Sequence, residues 1–309
     1  MGCVIRRLLL ILLTLAGLAG LAAPARAALV ALVSADDGAA FGEAAEAIAT
    51  ELRGAGHRIQ SYTLPLRPED GGFGGAALIV TLGSRAAQAV SALPQHGPIL
   101  HTLLPRSAYE RLPRPDDPRR VSAVYIDQPA SRQIELIRQA LPDWSRLVVL
   151  TSRDSAELGT RLQAAAREHR TLRVQSDTAQ GERDIYPTLQ RILAEPAILI
   201  AVPDATLFNS NTISNILLTA YHHRSPVVGF SAAYIKAGAL LALYSTPAQI
   251  GQQAGEAARQ ALATGSLPPP QYPRQFRVGT NTYVGRSLGI TLEDPNALRE
   301  RLERQEGTP

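Results

Sequence analysis

The chain has 309 residues and a formal charge of +4, enough length for two ordinary folded units. Three of its 31 basic residues, Arg6, Arg7 and Arg26, lie in the first 27 positions, so the rest carries 28 basic against 27 acidic side chains and is close to neutral. That balance gives no reason to expect nucleic acid or an anionic membrane surface as a partner, and with Cys3 as the sole cysteine there is no disulfide framework and no thiol nucleophile downstream.

Residues 1–27 read as an export signal. Arg6 and Arg7 form a basic start, 8–21 is an apolar run, and Ala25-Arg26-Ala27 has the small-x-small form of a cleavage site. Gly17 and Gly20 interrupt the run, which is short for a membrane span. A cleaved signal peptide, a mature start near Ala28 and a periplasmic location are expected. An uncleaved N-terminal anchor is the alternative.

Strands and helices then alternate. The first half reads as strand 29–33, helix 41–53 closed by Gly54-Ala55-Gly56, strand 58–64 and a Pro/Gly-rich loop 65–75. Strand 77–82, helix 84–93, strand 98–103 and a Pro- and charge-rich irregular stretch 105–120 follow. Strand 121–126 leads to helix 130–141, with Ile134, Ile137 and Leu141 on one face. The pattern restarts with strand 147–150, helix 155–170, strand 172–175, helix 184–194, strand 197–202 and helix 210–223. Strands 226–230 and 239–243, helix 247–263 with Pro247 in its first turn and Gly265 after its end, and strand 276–280 complete it. Stretches 281–288 and 296–304 look helical, and 305–309 is a tail.

Such alternation predicts an α/β fold, with mostly parallel sheets covered by helices on both faces. An internal echo points to two sheets. "LVALVSADDGAAFG" (29–42) and "LVVLTSRDSAELG" (147–159) share an apolar strand, a terminal Ser, an Asp two residues on, and a helix. Ser34 and Asp36 thus correspond to Ser152 and Asp154. A plain Ser/Asp helix cap explains the same residues without duplication.

Open parallel sheets bind ligands beyond the carboxyl ends of their strands, where the next helix offers unpaired N–H groups. The positions there are Ser34 and Asp36, Gly83 and Ser84, Thr102, Asp127 and Gln128, Thr151 and Ser152, Asp204 and Thr206, and Phe230 and Ser231. If two lobes face each other, all of them border one cleft. Gly83-Ser84 can receive a carboxylate or phosphate, or merely cap a helix. Asp204, in "VPDATLFNSNTIS" (202–214), can bind an ammonium group or only shape a turn, with Ser210 or Asn211 capping the next helix. Tyr125, Phe208, Tyr234 and Tyr244 can stack on a flat ligand or fill the core.

Enzyme signatures are scarce. Gly229-Phe230-Ser231-Ala232-Ala233 is half of a nucleophile elbow. Gly71-Gly72-Phe73-Gly74-Gly75 precedes a strand instead of opening a helix, and no GxxxxGK[ST] loop occurs. His222 and His223 are adjacent on a helix and diverge, the wrong spacing for a metal pair. No catalytic residue, cofactor or metal is expected.

Three stretches carry a resemblance: "RQIELIRQALPDWSRLVVLTS" (132–152), "ILIAVPDATLFNSNTISNILLTAYHHRSPVVGFSAAYIKAGALLALYSTPAQIGQQAGEAARQAL" (198–262) and "FRVGTNTYVGRSLGITL" (276–292). With the signal and the two α/β lobes, the chain resembles the type I periplasmic binding proteins of ABC importers, in the branch that includes tryptophan- and tyrosine-binding proteins. The resemblance implies two Rossmann-like lobes joined by a hinge that the chain crosses three times, near 125, 245 and 270. Lobe 1 is expected over 28–125 plus about 246–270, lobe 2 over 126–245 plus about 271–295, and 296–309 as a C-terminal helix and tail. It further implies a monomer that closes on a small-molecule ligand, such as an amino acid or aromatic compound. The ligand contacts would be Ser34, Asp36, Gly83, Ser84 and Thr102 from the first lobe and Asp127, Ser152, Asp204, Thr206 and Ser231 from the second, with Tyr244 near the hinge. The partner would be a membrane permease, or, for a sensory subunit of the same fold, a membrane receptor such as a histidine kinase. One departure bears on the ligand: the stretch "LHTLLPRSAYERLPRPDDP" (100–118) lacks the Asp-Pro plus Gly segment that the family usually carries at a ligand-facing turn.

Overall fold

A computed structural model describes residues 27–94, 97–113 and 117–307. Apart from Ala27, the expected export signal lies outside the described residues, as do the last two residues of the tail. Among the described residues no helix is long and apolar enough to cross a membrane.

The first sheet follows from burial. β1 (Leu29–Ser34), β3 (Leu78–Leu82), β4 (Ile99–Leu104) and β5 (Val121–Tyr125) bury nearly every side chain, as strands covered on both faces must. The edge strand β2 (Arg58–Thr63) has no fully buried side chain. All pair in parallel, in the order β2-β1-β3-β4-β5. Their helices are α1 (Ala39–Gly54), α2 (Ser84–Ser91) and α3 (Arg106–Glu110).

After α4 (Ala130–Ala140) a second sheet forms from β6 (Arg146–Thr151), β7 (Arg173–Thr178), β8 (Ile198–Ile200), β9 (Val227–Gly229), β10 (Leu241–Tyr244) and β11 (Arg277–Thr280). Its order is β11-β10-β9-β8-β6-β7, parallel except for the antiparallel pair β10–β11. The remaining helices are α5 (Ala156–Arg167), α6 (Glu182–Ile192), α7 (Ile213–His222), α8 (Ala232–Ala237), α9 (Pro247–Thr264), α10 (Thr282–Leu288) and α11 (Pro295–Glu306). One continuous core runs through this half, from Ile134 on α4 to Leu298 and Leu302 on α11.

Helix α9 follows β10 of the second sheet but packs on the first. Ile250 and Ala254 share a core with Leu32, Ile48 and Leu52. The chain therefore passes between lobes at 126–129, at 245–246 and after Gln271, which still bridges Val124 of β5.

Elements appear where the sequence reading had none: the loop expected at 65–75 holds a 3-10 helix, Pro68–Gly75, and two further stretches differ. The segment expected to be irregular, 105–120, contains α3 and a 3-10 turn at Pro118–Arg120. The backbone N–H of Arg106 is taken by the Asp127 carboxylate at 2.6 Å, and Arg106 pairs with Glu110 one turn on, so a distant acid and a local ion pair start the helix. Helix α8 has six residues, too few to show a 3.6-residue period, and was absent from the pattern.

Candidate functional site

The carboxyl ends of the two sheets face each other. Arg111, just after α3 in the first lobe, reaches Asp154 beyond β6 in the second: Nη1 donates to the Asp154 carbonyl at 3.2 Å, and Nη2 lies 3.4 Å from the carboxylate. Arg161 on α5 donates from Nη2 to both oxygens of Glu110, at 3.1 and 3.2 Å. Glu110 also accepts from Arg106 Nε at 2.7 Å, and these partners hold its carboxyl below the usual range despite partial burial. These contacts bring the strand ends of the two sheets together as two opposed walls.

On the first wall, Gly83 has φ +92 and donates its N–H to Thr102 O at 2.8 Å. A Cβ there would sit 2.8 Å from the Phe41 ring, so glycine lets Phe41 lie against the strand end. Ser84 opens α2, is half-buried, and its hydroxyl has no hydrogen bond among the described residues. Ser34 is half-buried at the end of β1, and its carbonyl accepts from Leu64 N. Thr102 is fully buried with its Oγ1 unpartnered. The next residue, Leu103, has φ +53, and the β4–β5 register shifts there. Asp36 is exposed and engaged: Oδ1 accepts from Gly38 N at 2.9 Å, and Oδ2 pairs with Arg85 at 2.7 Å. It shapes the lip before α1. Beside it, a cavity of about 660 Å³ has an apolar floor of Leu64, Leu66 and Leu93 and a rim of Arg67 and Arg85.

The second wall is organised by Asp204, which is 6% exposed. Its Oδ2 accepts from Ser155 Oγ at 2.5 Å and Ser152 N at 3.2 Å. Its Oδ1 accepts from Thr206 N at 2.9 Å and Leu207 N at 3.3 Å. Both oxygens are thus committed within the lobe, and the carboxylate fastens the loop after β8 to the loop after β6. Ser152 accepts from Asp154 N through its own Oγ. Thr206 is exposed beside them.

The expected cap by Ser210 or Asn211 is replaced. Thr212 occupies the N-cap of α7; its Oγ1 accepts from Asn209 N and donates to Leu207 O at 2.6 Å, while Asn209 Oδ1 takes Asn211 N. The polar run builds a turn that folds on itself before the helix begins.

Ser231 is the half-buried N-cap of α8 with no cap bond from its side chain, and Phe230 before it is half-buried against Tyr234, 4.6 Å between centroids. Of the aromatics that could stack on a ligand, Tyr125, Phe208 and Tyr234 are buried in the core, and only Tyr244 is half-exposed. Asp127 and Gln128 belong to the first crossover. Asp127 is 5% exposed, and burial pushes its carboxyl up to about 6. The structure therefore gathers Ser34, Gly83, Ser84, Thr206 and Ser231 at the strand ends, uses Asp36, Ser152 and Asp204 to shape the walls, and puts Asp127 and Tyr244 at the hinge. Sequence reasoning missed Glu110, Arg111 and Arg161, because charged residues on short amphipathic stretches read as solvated surface.

No curated protein matches the sequence. Solved structures do. A conserved domain protein from Vibrio cholerae superposes with TM-score 0.65 at 22% identity, over 89% of this chain and 98% of its own. An ABC domain from Streptococcus pneumonia in complex with L-Trp gives 0.65 at 16%, over 88% and 98%. A ligand-free, open substrate binding protein with adhesive properties from Clostridium difficile gives 0.69 at 15%, over 86% and 96%. At these identities the likeness speaks to fold, and the fold is that of type I periplasmic binding proteins. The family model described as ABC transporter substrate binding protein matches residues 74–295, from just before β3 through the whole second sheet and all three crossovers, and the chain belongs to that family.

Proposed function

We propose that the chain is the periplasmic solute-binding component of an ABC importer. It takes up a small polar or aromatic molecule between its lobes and presents the closed form to a membrane permease. Its work is a shift between open and closed populations, not bond chemistry. The observation that carries this reading is the opposition of the two sheets' carboxyl ends, joined by Arg111–Asp154 and Glu110–Arg161. Ser84, with the N–H groups that start α2, and Ser34 contact the ligand from one side; Ser231 and Thr206 contact it from the other. Asp204 acts by holding the second wall in shape. The N-terminal 27 residues direct export, the lobes divide at the crossovers, and the protein works as a monomer.

The test is thermal unfolding of residues 28–309 against amino acids, nucleosides, purines, short peptides and sugars. A ligand bound only by the folded state adds RT ln(1 + [L]/Kd), roughly 2.7 kcal/mol at about a hundred times Kd, and raises the midpoint by a few degrees. For the compound that does so, Ser84→Ala and Ser231→Ala should each weaken binding by about 3- to 10-fold, the value of one hydrogen bond. Asp204→Ala should lower the unfolding midpoint even without ligand. Cooperative unfolding with no shift for any compound would sink the proposal.

A further inference from the structure

The hinge contains a polar structure of its own. Arg132, on the first turn of α4, is only 6% exposed. Its Nε and Nη2 are held by the two carboxylate oxygens of Glu306, at 2.5 and 2.7 Å. Its Nη1 donates to Gln128 Oε1 at 2.6 Å and to the Pro273 carbonyl at 3.0 Å. The guanidinium lies 4.2 Å over the Phe276 ring. Gln128 passes the chain on: its Nε2 donates to Ser245 Oγ at 2.9 Å, and that hydroxyl donates to the Gln275 carbonyl at 2.5 Å.

These partners are distributed in a particular way. Gln128 is in the first crossover, Ser245 in the second, Pro273 and Gln275 in the third. Glu306 comes from the last turn of α11, where Gln305 also accepts from Gln139 of α4 at 2.8 Å. One buried guanidinium, fixed by a carboxylate from the end of the chain, thus laces together all the segments that join the lobes. Docking α11 on the second lobe does not require this, because Leu298 and Leu302 already bury in that core. A buried arginine is costly unless its donors are paired, and here all four of its hydrogen bonds reach hinge segments or their clamp. Lobe closure proceeds by backbone torsion in such crossovers. Unlinked, three peptides bend and twist separately; laced, they turn together.

We propose that Arg132, clamped by Glu306, is a positioning residue that makes the three crossovers one hinge and sets the interlobe angle of the ligand-free protein. It rests on the reading that the lobes close on a solute, but its test needs no solute. The chain from Ala28 contains every described element and no cysteine. Ala40→Cys near the start of α1 and Ser214→Cys near the start of α7, both exposed, take nitroxide labels on opposite lobes. Pulsed dipolar spectroscopy then gives the interlobe distance distribution. Glu306→Gln, and deletion of residues 305–309, should broaden it at least about twofold and speed amide exchange at Gln271 and Arg274 by about tenfold, with amides of β3 and β8 unchanged. Arg132→Lys, which keeps the charge but loses the fork, should fall between these variants and the parent. Unchanged width and exchange in both Glu306 variants would overturn the proposal. So would exchange that rises equally in β3 and β8, since the contact would then be general packing. Should Arg132→Met fail to fold, the Glu306 variants decide. A parent protein that no compound stabilises would count against the solute reading and leave this measurement intact.

Discussion

Asp127 in the first crossover and His101 in the first lobe are buried titratable groups, and they respond to pH in opposite senses. Burial raises the Asp127 carboxyl from 3.8 to about 6. A raised acid contributes stability that is complete below pH 3.8 and lost as pH rises through 6; by pH 7 the ionised form costs on the order of 3 kcal/mol. Asp127→Asn keeps an acceptor for Arg106 N and should raise the unfolding midpoint at pH 7.5, with the gain vanishing towards pH 4. His101, bonded to Thr81 Oγ1 at 2.8 Å, is lowered by burial from 6.5 to about 4. A lowered base contributes stability that is complete above pH 6.5 and lost as pH falls through 4. His101→Asn should therefore flatten the loss of stability between pH 6.5 and 4, read as a slope because the substitution also removes ring contact with Tyr109. The sequence placed Asp127 and Asp204 at strand ends by pattern alone. That their carboxylates serve Arg106 N and Ser155 is a matter of partners 21 and 49 residues away, which no local pattern encodes.

Among the elements, the α1–α9 contact depends on the absence of side chains. A Cβ on Gly251 would lie 2.5 Å from the Ala44 carbonyl oxygen and 2.9 Å from its Cα; one on Gly255 would lie 2.7 Å from Glu51 Cβ. Gly251→Ala gains about 1 kcal/mol in helix propensity but must push backbone from backbone, typically 1–3 kcal/mol or more. A net fall in the unfolding midpoint is expected. Gly42 on the exposed side of α1 has nothing within 4 Å of its would-be Cβ, so Gly42→Ala should raise the midpoint by the propensity term alone. Periodicity found α9, because Pro247, Gly265 and the apolar spacing are local signals. It could not say which sheet α9 covers. The same limit hid α3, whose start is fixed by Asp127, and α8, which is shorter than two turns.

At the scale of the whole molecule, the lobes meet through ion pairs that water reaches. Arg161 and Glu110 side chains are 21% and 33% exposed, Arg111 and Asp154 46% and 52%. Pairs of this kind hold by a few tenths of a kcal/mol each and weaken with salt. Raising ionic strength from about 0.05 to about 0.5 M should increase the radius of gyration in small-angle scattering, and Glu110→Gln should do so at low salt. A radius that ignores both would mean that the hinge, not these pairs, holds the lobes.

The sequence by itself determined the class of fold and most of its elements, since burial on both faces demands continuous apolar strands and packing on one face demands a helical repeat. It also marked the strand ends, where open parallel sheets offer a place for ligands, and the resemblance it carries was to the family whose model matches residues 74–295. Only the tertiary structure decided which of those polar residues still present free groups and which are already paired within a wall. It alone joined Gln128 to Ser245 and Arg132 to Glu306, across 117 and 174 residues. Such contacts are set by how two finished cores come together, and a side chain that will bury against a partner that far along the chain looks, in its own neighbourhood, like any other polar residue on a helix.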